Sequence, residues 1–279
     1  MRHELKESMI LQWRKRLIEE EKSCATIQKY MHDLSVFYDY VKKAEVNKEI
    51  VIEYKQYLLQ NYAAASVNSM LVALNRFLKA MGWYDCVVKL LKIQKKSFRD
   101  PGLDLSKEEY QRLLAAAKAK RKDKLYYLMQ TICATGIRVS ELPFITVEAV
   151  KTGRAKVALK GKIRTVLLPT RLCRRLKEYI DAHGIRKGSI FLTRTGKTMG
   201  RSDIWRSMKS LCKSAGVESQ KVFPHNLRHL FACTYYKKEK NLANLADVLG
   251  HSSVDTTRIY TMISGEEQIR FLSGLGLVV

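Results

Sequence analysis

The 279-residue sequence contains no run of eighteen apolar residues, the length a helix needs to cross a bilayer. Its opening residues, Met1-Arg2-His3-Glu4-Leu5-Lys6-Glu7, lack the apolar core of a secretory signal, so the expectation is a soluble, cytoplasmic chain with no membrane partner. The six cysteines (Cys24, Cys86, Cys133, Cys173, Cys212 and Cys233) lie far apart with no C-x-x-C pair. That spacing argues against a zinc ribbon or a dithiol redox centre, and the thiols read as reduced and mostly buried. There is no internal repeat, no low-complexity tract, and no cluster of carboxylates with the spacing of a two-metal site. Acidic side chains are scarce, 27 against 51 lysines and arginines.

What remains is an apolar fraction of 46%, enough for a sizeable core, and a net charge of +24. A surplus this large on a compact chain implies a polyanionic partner, and nucleic acid is the first candidate. Residues 1–100 hold 18 basic and 12 acidic side chains, whereas residues 101–279 hold 33 and 15, so the excess concentrates in the second portion.

The first hundred residues carry helical periodicity almost throughout. Ile27, Tyr30, Met31, Leu34, Phe37, Tyr38 and Val41 form one stripe, and Val67, Met70, Leu71, Leu74, Phe77 and Leu78 form another. Four or five short helices are expected, with the small residues 63–66 as a tight helix connection. Residues 93–103 are basic, aperiodic and broken by Pro101-Gly102, which marks a linker whose Lys95, Lys96 and Arg99 are placed to follow a phosphate backbone. Ser106 and Glu109 have the spacing of a capping box and open a second domain. Within it, residues 155–168 alternate like a β-hairpin turning at a glycine, and the stretches 172–182, 202–214, 226–238, 242–249 and 254–262 read as helices. The fold class expected is mainly α with a small antiparallel β-sheet in the second domain.

Four stretches place a cation or hydroxyl at a structural boundary. In Ala134-Thr135-Gly136-Ile137-Arg138, glycine breaks an apolar helix and Arg138 follows directly; Glu141, three residues on, is a partner that by itself would explain the arginine. Lys160, Lys162 and Arg164 lie at and after the hairpin turn, where charged tips are commonly just solvated. His225 and Arg228, three apart, share one helix face, an arrangement that suits a phosphate better than a core. Leu249-Gly250-His251-Ser252 joins two elements, with Gly250 as a C-cap and Ser252 and Asp255 at capping spacing, and Tyr260 follows. Taken singly, His251 and Tyr260 are as well explained by packing.

Together, in order and spacing, ATGIRVSEL, LKGKIRTVLLP, PHNLRH and LGHSSVDTTRIY resemble the tyrosine recombinases, or phage-type integrases. The resemblance covers nearly the whole chain. It implies a two-domain architecture: a helical, SAM-like core-binding domain over 1–92, a linker over 93–103, a mixed α/β catalytic domain over 104–262 and a tail over 263–279. It further implies that Arg138 and Arg228 hold the scissile phosphate and that Tyr260 attacks it to give a 3′-phosphotyrosine. Lys160 would protonate the leaving 5′-oxygen, with Lys162 and Arg164 close enough to exchange roles with it. His225 would act as acid or base, His251 would donate a hydrogen bond to the phosphate, and His229 is secondary. Lys95, Lys96, Arg99, Lys162, Arg164 and Arg201 are further DNA-contact candidates. No cofactor is required, and activity is expected in a chelator.

The partners implied are a double-stranded DNA core site and three further protomers, a dimer on each of two duplexes, with a second recombinase or accessory factor left open. The domains would clamp the duplex in a C shape, and the location implied is the nucleoid. Ile269, Phe271, Leu272, Leu275, Leu277 and Val278 are too apolar to hang free, and docking on a neighbouring protomer or on their own domain both remain open. The sequence ahead of the first helices is too short for an arm-site domain, so a Xer-like or small mobile-element enzyme is expected. The alternatives are type IB topoisomerase-like relaxation and a non-catalytic DNA-binding protein.

Overall fold

A computed structural model describes residues 2–42, 45–93, 101–159, 161–262 and 265–275, apart from the side chains of Pro101, Leu159, Lys162 and Glu267. The chain divides into two compact units, residues 1–95 and 96–279. Among the described residues no helix is long and apolar enough to cross a membrane.

The first unit packs α1 (Glu7–Glu19), α2 (Cys24–Val41), α3 (Lys48–Asn61) and α4 (Ala64–Ala80). A two-residue antiparallel pair, β1 (His3–Glu4) with β2 (Glu45–Val46), ties the amino-terminal segment to the α2–α3 connection. Both apolar stripes face inward: Ile27, Leu34, Phe37 and Val41 from α2 meet Val67, Leu71, Leu74, Phe77 and Leu78 from α4. Trp13 stacks on Tyr30 at 5.8 Å and meets the edge of Phe77 at 5.4 Å. Ser23 and Asn47 cap α2 and α3 through the amides of Thr26 and Ile50. The expected connection at 63–66 is shorter than its composition suggested, because the alanines are good helix formers and α4 already starts at Ala64. Two asparagines on α4 then bind the segment that leaves the unit. Asn75 exchanges hydrogen bonds of 2.7 and 3.0 Å with the backbone of Val88, and Asn68 does the same with Leu91 at 2.9 and 2.7 Å. The amide side chains thus replace a neighbouring strand for a backbone that has none.

The second unit begins with α5 (Lys107–Ala119), where the Ser106–Glu109 capping box forms in both directions. It continues through α6 (Asp123–Thr135), a 3-10 turn (Val139–Phe144) and α7 (Val147–Thr152). The hairpin β3 (Arg154–Leu159) and β4 (Lys162–Leu167) follows, closed at its end by the pair Leu159↔Lys162. Next come α8 (Thr170–Ala182), α9 (Arg201–Lys209), α10 (Cys212–Ala215), α11 (Pro224–Glu239) and α12 (Leu242–Leu249). The stretch 202–214 is not one helix: the Ser210 hydroxyl bonds back to the Ser207 carbonyl at 2.7 Å, and the chain breaks between α9 and α10. The stretch 254–262 is not a helix either. It forms two 3-10 turns, Val254–Thr256 and Arg258–Tyr260, and the first is capped by Ser253, not Ser252. Tertiary bonds to Thr257 and burial of Tyr260 override the helical spacing. The chain's last described element is α13 (Gly265–Ser273).

Candidate active site

Four chain segments meet at the carboxyl end of α12. The first leaves α6 at Gly136, whose φ of +64° ends the helix. A Cβ at Gly136 would lie 2.5 Å from the Phe231 ring, so both conformation and space demand glycine. Two residues later Arg138 caps the 3-10 turn, and Glu141 accepts its backbone N–H at 2.9 Å and its Nη1 at 3.1 Å. Glu141 is buried and also holds Arg164, from β4, at 2.6 Å. Its carboxyl stays below the usual value: burial opposes the charge, but hydrogen bonds from Arg164 and the Arg138 backbone, together with both guanidiniums, outweigh it.

The last carbonyls of α12 complete the arrangement. Arg164 Nη1 donates to the Val248 carbonyl at 2.7 Å, Arg228 Nη2 to Leu249 at 2.9 Å, and Arg138 Nη2 to Gly250 at 3.3 Å. Three successive carbonyls that a helix end leaves without partners are thus each met by an arginine, at the negative pole of the helix. Gly250 ends α12 at a φ of +65°, and a Cβ there would stand 2.5 Å from Arg164 Cδ.

Arg228 is 2% exposed and also donates to the Gly136 carbonyl. Burial and then Arg138 push its guanidinium below the usual value, partly offset by the neighbouring Tyr260 and Glu141. A guanidinium stays charged at neutral pH, so the push expresses first the cost of burying that charge and second its repulsion by Arg138, which a bound anion would offset. Arg138, Arg201, His225 and Arg228 line one cavity of about 550 Å³, with Trp205 and Pro143 among its apolar walls. His225, on the first turn of α11, is held below the ordinary imidazole value by partial burial of its ring and then by Arg228, His229, Arg201 and Arg138.

Tyr260 is 4% exposed and packs with Ala232, Cys233, Leu245 and Leu249. Its ring lies 6.2 Å from that of His251, nearly parallel, and 5.1 Å from that of His229. His251 Nδ1 is 2.8 Å from Thr257 Oγ1, and its Nε2 is 2.9 Å from Arg228 Nη2. Arginine can only donate, so His251 Nε2 accepts here. Burial, then Arg228, Arg138, Arg164 and His225, lower its value to about 4, which agrees with a neutral ring. His229 is the opposite case. Burial opposes its charge, but Asp104, 3.1 Å from Nε2, and Cys233 raise it to about 9, which favours the protonated ring.

The structure therefore brings Arg138, Arg228, His225, His251 and Tyr260 into one neighbourhood and lines its cavity with Arg201. Arg164 does not face outward as a DNA contact: its guanidinium is committed to Glu141 and the Val248 carbonyl. Lys95, Lys96, Arg99 and Lys160 lie outside the described residues, as does the side chain of Lys162. Glu141 and Thr257 were not among the expected site residues. The signal for the first was its three-residue spacing from Arg138; for the second there was none beyond its place between His251 and Tyr260.

The chain matches known proteins over both units. Residues 104–267 match the Phage integrase family and residues 10–83 the phage integrase N-terminal SAM-like domain. The chain is 27% identical over 263 residues to tyrosine recombinase XerA of Pyrococcus furiosus, covering 88% of this chain and 86% of that protein. Its fold resembles a lambda integrase dimer bound to a COC′ core site, with a TM-score of 0.75, 17% identity, and 95% and 97% of the two chains covered. It also resembles a lambda integrase tetramer bound to a Holliday junction, with a TM-score of 0.73, 18% identity, and 91% and 76% covered. With its second unit matched across the whole arginine and tyrosine constellation, and its first across the helical bundle, the chain belongs to the phage integrase family of tyrosine recombinases.

Proposed function

We propose that this protein cleaves and rejoins DNA at a specific core site through a 3′-phosphotyrosine on Tyr260, without metal or ATP, in integration and excision of a mobile element or in Xer-like resolution. The observation that carries the reading is the convergence of Arg138, Arg228 and His225 on one cavity, with Tyr260 packed beside Arg228 and His251. Arg138, Arg201 and Arg228 line that cavity, and the neighbouring Glu141 carboxylate, shared with Arg164, offsets them only in part, which leaves a surplus of positive charge. A phosphodiester carries one negative charge and its pentacoordinate transition state two, so the surplus matches the transition state better than the substrate.

In the step proposed, the Tyr260 hydroxyl attacks phosphorus in line while Arg138 and Arg228 hold the non-bridging oxygens. The 5′-oxygen leaves with a proton, and reversal by a 5′-hydroxyl rejoins the strand. His225, neutral at physiological pH, accepts the tyrosine proton, and His251 bonds the phosphate. Lys160, at the hairpin turn, protonates the leaving oxygen, with Lys162 two residues on as the alternative acid. Arg201 holds a neighbouring phosphate. The first unit, with the linker cations Lys95, Lys96 and Arg99, completes the grip on the duplex in the cytoplasm, on the nucleoid.

Assembly is proposed as a dimer per site and a tetramer on two duplexes. Its support from this chain is α13, whose Phe271 and Ile269 are each 64% exposed, with Leu272 and Leu275 also open to solvent. An apolar helix face left uncovered on its own unit favours docking on a neighbouring protomer. Leu277 and Val278 lie outside the described residues.

The test is covalent trapping: protein and nicked DNA from its genomic neighbourhood are incubated in chelator, quenched in detergent and resolved on a gel. An adduct in the wild type that disappears in Tyr260→Phe is the expected result. Failure of the wild type to form an adduct on any such fragment would overturn the catalytic reading in favour of DNA binding alone.

A further inference from the structure

The two nitrogens of His251 face different chemistries. Nε2 stands at hydrogen-bonding distance from Arg228 Nη2, 2.9 Å, and Nδ1 from Thr257 Oγ1, 2.8 Å. Turning the ring over would put carbon atoms at both contacts, so the two distances jointly support the orientation. Arg228 has no acceptor, which makes Nε2 the acceptor and leaves the ring proton on Nδ1, donated to the Thr257 hydroxyl. In this state His251 has nothing to donate to a phosphate.

Thr257 is suited to change that. It is fully buried, and it is the joint between the two 3-10 turns: its N–H donates to the Val254 carbonyl at 2.8 Å, and its carbonyl accepts the N–H of Tyr260 at 3.0 Å. Its backbone is thus fixed between the histidine and the nucleophile, while its hydroxyl keeps one rotatable proton. A hydroxyl can accept from Nδ1–H or donate to a bare Nδ1.

We propose that Thr257 is a positioning residue that holds His251 Nδ1 through both of the ring's hydrogen-bonding polarities. It accepts from Nδ1–H in the free protein, where Nε2 takes a bond from Arg228, and donates to Nδ1 once a scissile phosphate draws the Arg228 guanidinium to itself. In the second state one proton has left Nδ1 for solvent and one has arrived at Nε2, the threonine hydroxyl has rotated, and the net charge is unchanged. Nε2–H then points a donor at the phosphate oxygen that Arg228 also meets. This rests on the reading above that His251 contacts the phosphate, and it adds the residue that partners the ring through the switch.

The test separates the hydroxyl from the packing. Thr257→Val keeps the shape and removes both hydrogen-bonding roles; Thr257→Ser keeps them. The tautomer is read by nitrogen-15 NMR of histidine-labelled full-length protein, with the His251 signals assigned from their absence in His251→Gln. Phosphotyrosine formation is timed in parallel on a nicked core-site DNA. The expected result is an Nδ1–H tautomer in the wild type and both variants, since Arg228 keeps Nε2 an acceptor, with the hydrogen-bonded Nδ1 signal kept in Thr257→Ser and lost in Thr257→Val, and a cleavage rate roughly ten- to a hundredfold lower in Thr257→Val but within about twofold of wild type in Thr257→Ser, with DNA affinity unchanged. An Nδ1 signal unaltered in Thr257→Val, or equal slowing in Thr257→Ser and Thr257→Val, overturns the proposal. A wild type that shows the Nδ1–H tautomer but forms no adduct supports the polarity assignment and overturns the catalytic reading instead.

Discussion

Replacing Glu141 by glutamine tests whether one buried carboxylate holds the cationic site together before DNA arrives. The substitution keeps the shape and an acceptor for the Arg138 N–H but removes the charge between Arg138 and Arg164. The Arg138 partner is about 38% exposed, so its ion pair contributes little after solvent screening. Arg164 is 16% exposed and 2.6 Å away, and removing one member of such a buried pair leaves an uncompensated charge costing about 3 kcal/mol. For a chain of this size that corresponds to a fall in Tm of roughly 6–12 °C, read by calorimetry or circular dichroism at pH 7. Acidity gives the second arm. Because the Glu141 carboxyl is held below its ordinary value of 4.5, its contribution is present above that pH and lost as pH falls through the folded-state value. The gap between wild type and Glu141→Gln must therefore close on acidification below about 4.5. Inorganic phosphate should raise the Tm of the variant more than that of the wild type, since an anion in the cavity supplies the missing charge. A variant that melts with the wild type at pH 7 would refute the argument.

Two other substitutions probe the same region. Gly250→Ala places a Cβ 2.5 Å from Arg164 Cδ at a φ of +65°. The left-handed backbone and the displaced arginine should together cost roughly 2–4 kcal/mol in a urea melt; a loss under about 0.5 kcal/mol would mean that Arg164 relaxes freely. The His229–Asp104 pair predicts a pH dependence of opposite sign to that of Glu141. Its folded-state value is raised from 6.5 to about 9, so its stabilisation is complete below 6.5 and is lost as pH rises through about 9. The loss is on the order of 3 kcal/mol at most, and Asp104→Asn should flatten the Tm profile between those pH values; an unchanged profile would refute the assignment.

Local features were legible wherever a residue acts on its own neighbourhood. The stripes of α2 and α4 are periodic because one helix face is buried, and Ser106 with Glu109 forms its capping box from spacing alone. Gly136 and Gly250 mark helix ends because they adopt positive φ. Where side-chain chemistry competed with local propensity, the reading failed. The helix expected over 254–262 gave way to two turns once Thr257 bonded His251 and Tyr260 entered the apolar cluster, and the asparagine clamps of α4 left no periodic trace.

The sequence by itself determined the family, the order of Arg138, His225, Arg228, His251 and Tyr260, and the concentration of positive charge in the second unit, since motif spacing and composition are properties of the chain alone. The tertiary structure decided what those groups do before substrate arrives. Arg164 turned inward to Glu141, three arginines met three successive carbonyls of α12, and His251 became an acceptor. The physical reason is that these contacts join residues 21 to 112 positions apart, and hydrogen bonds over such separations depend on which chain segments packing brings together.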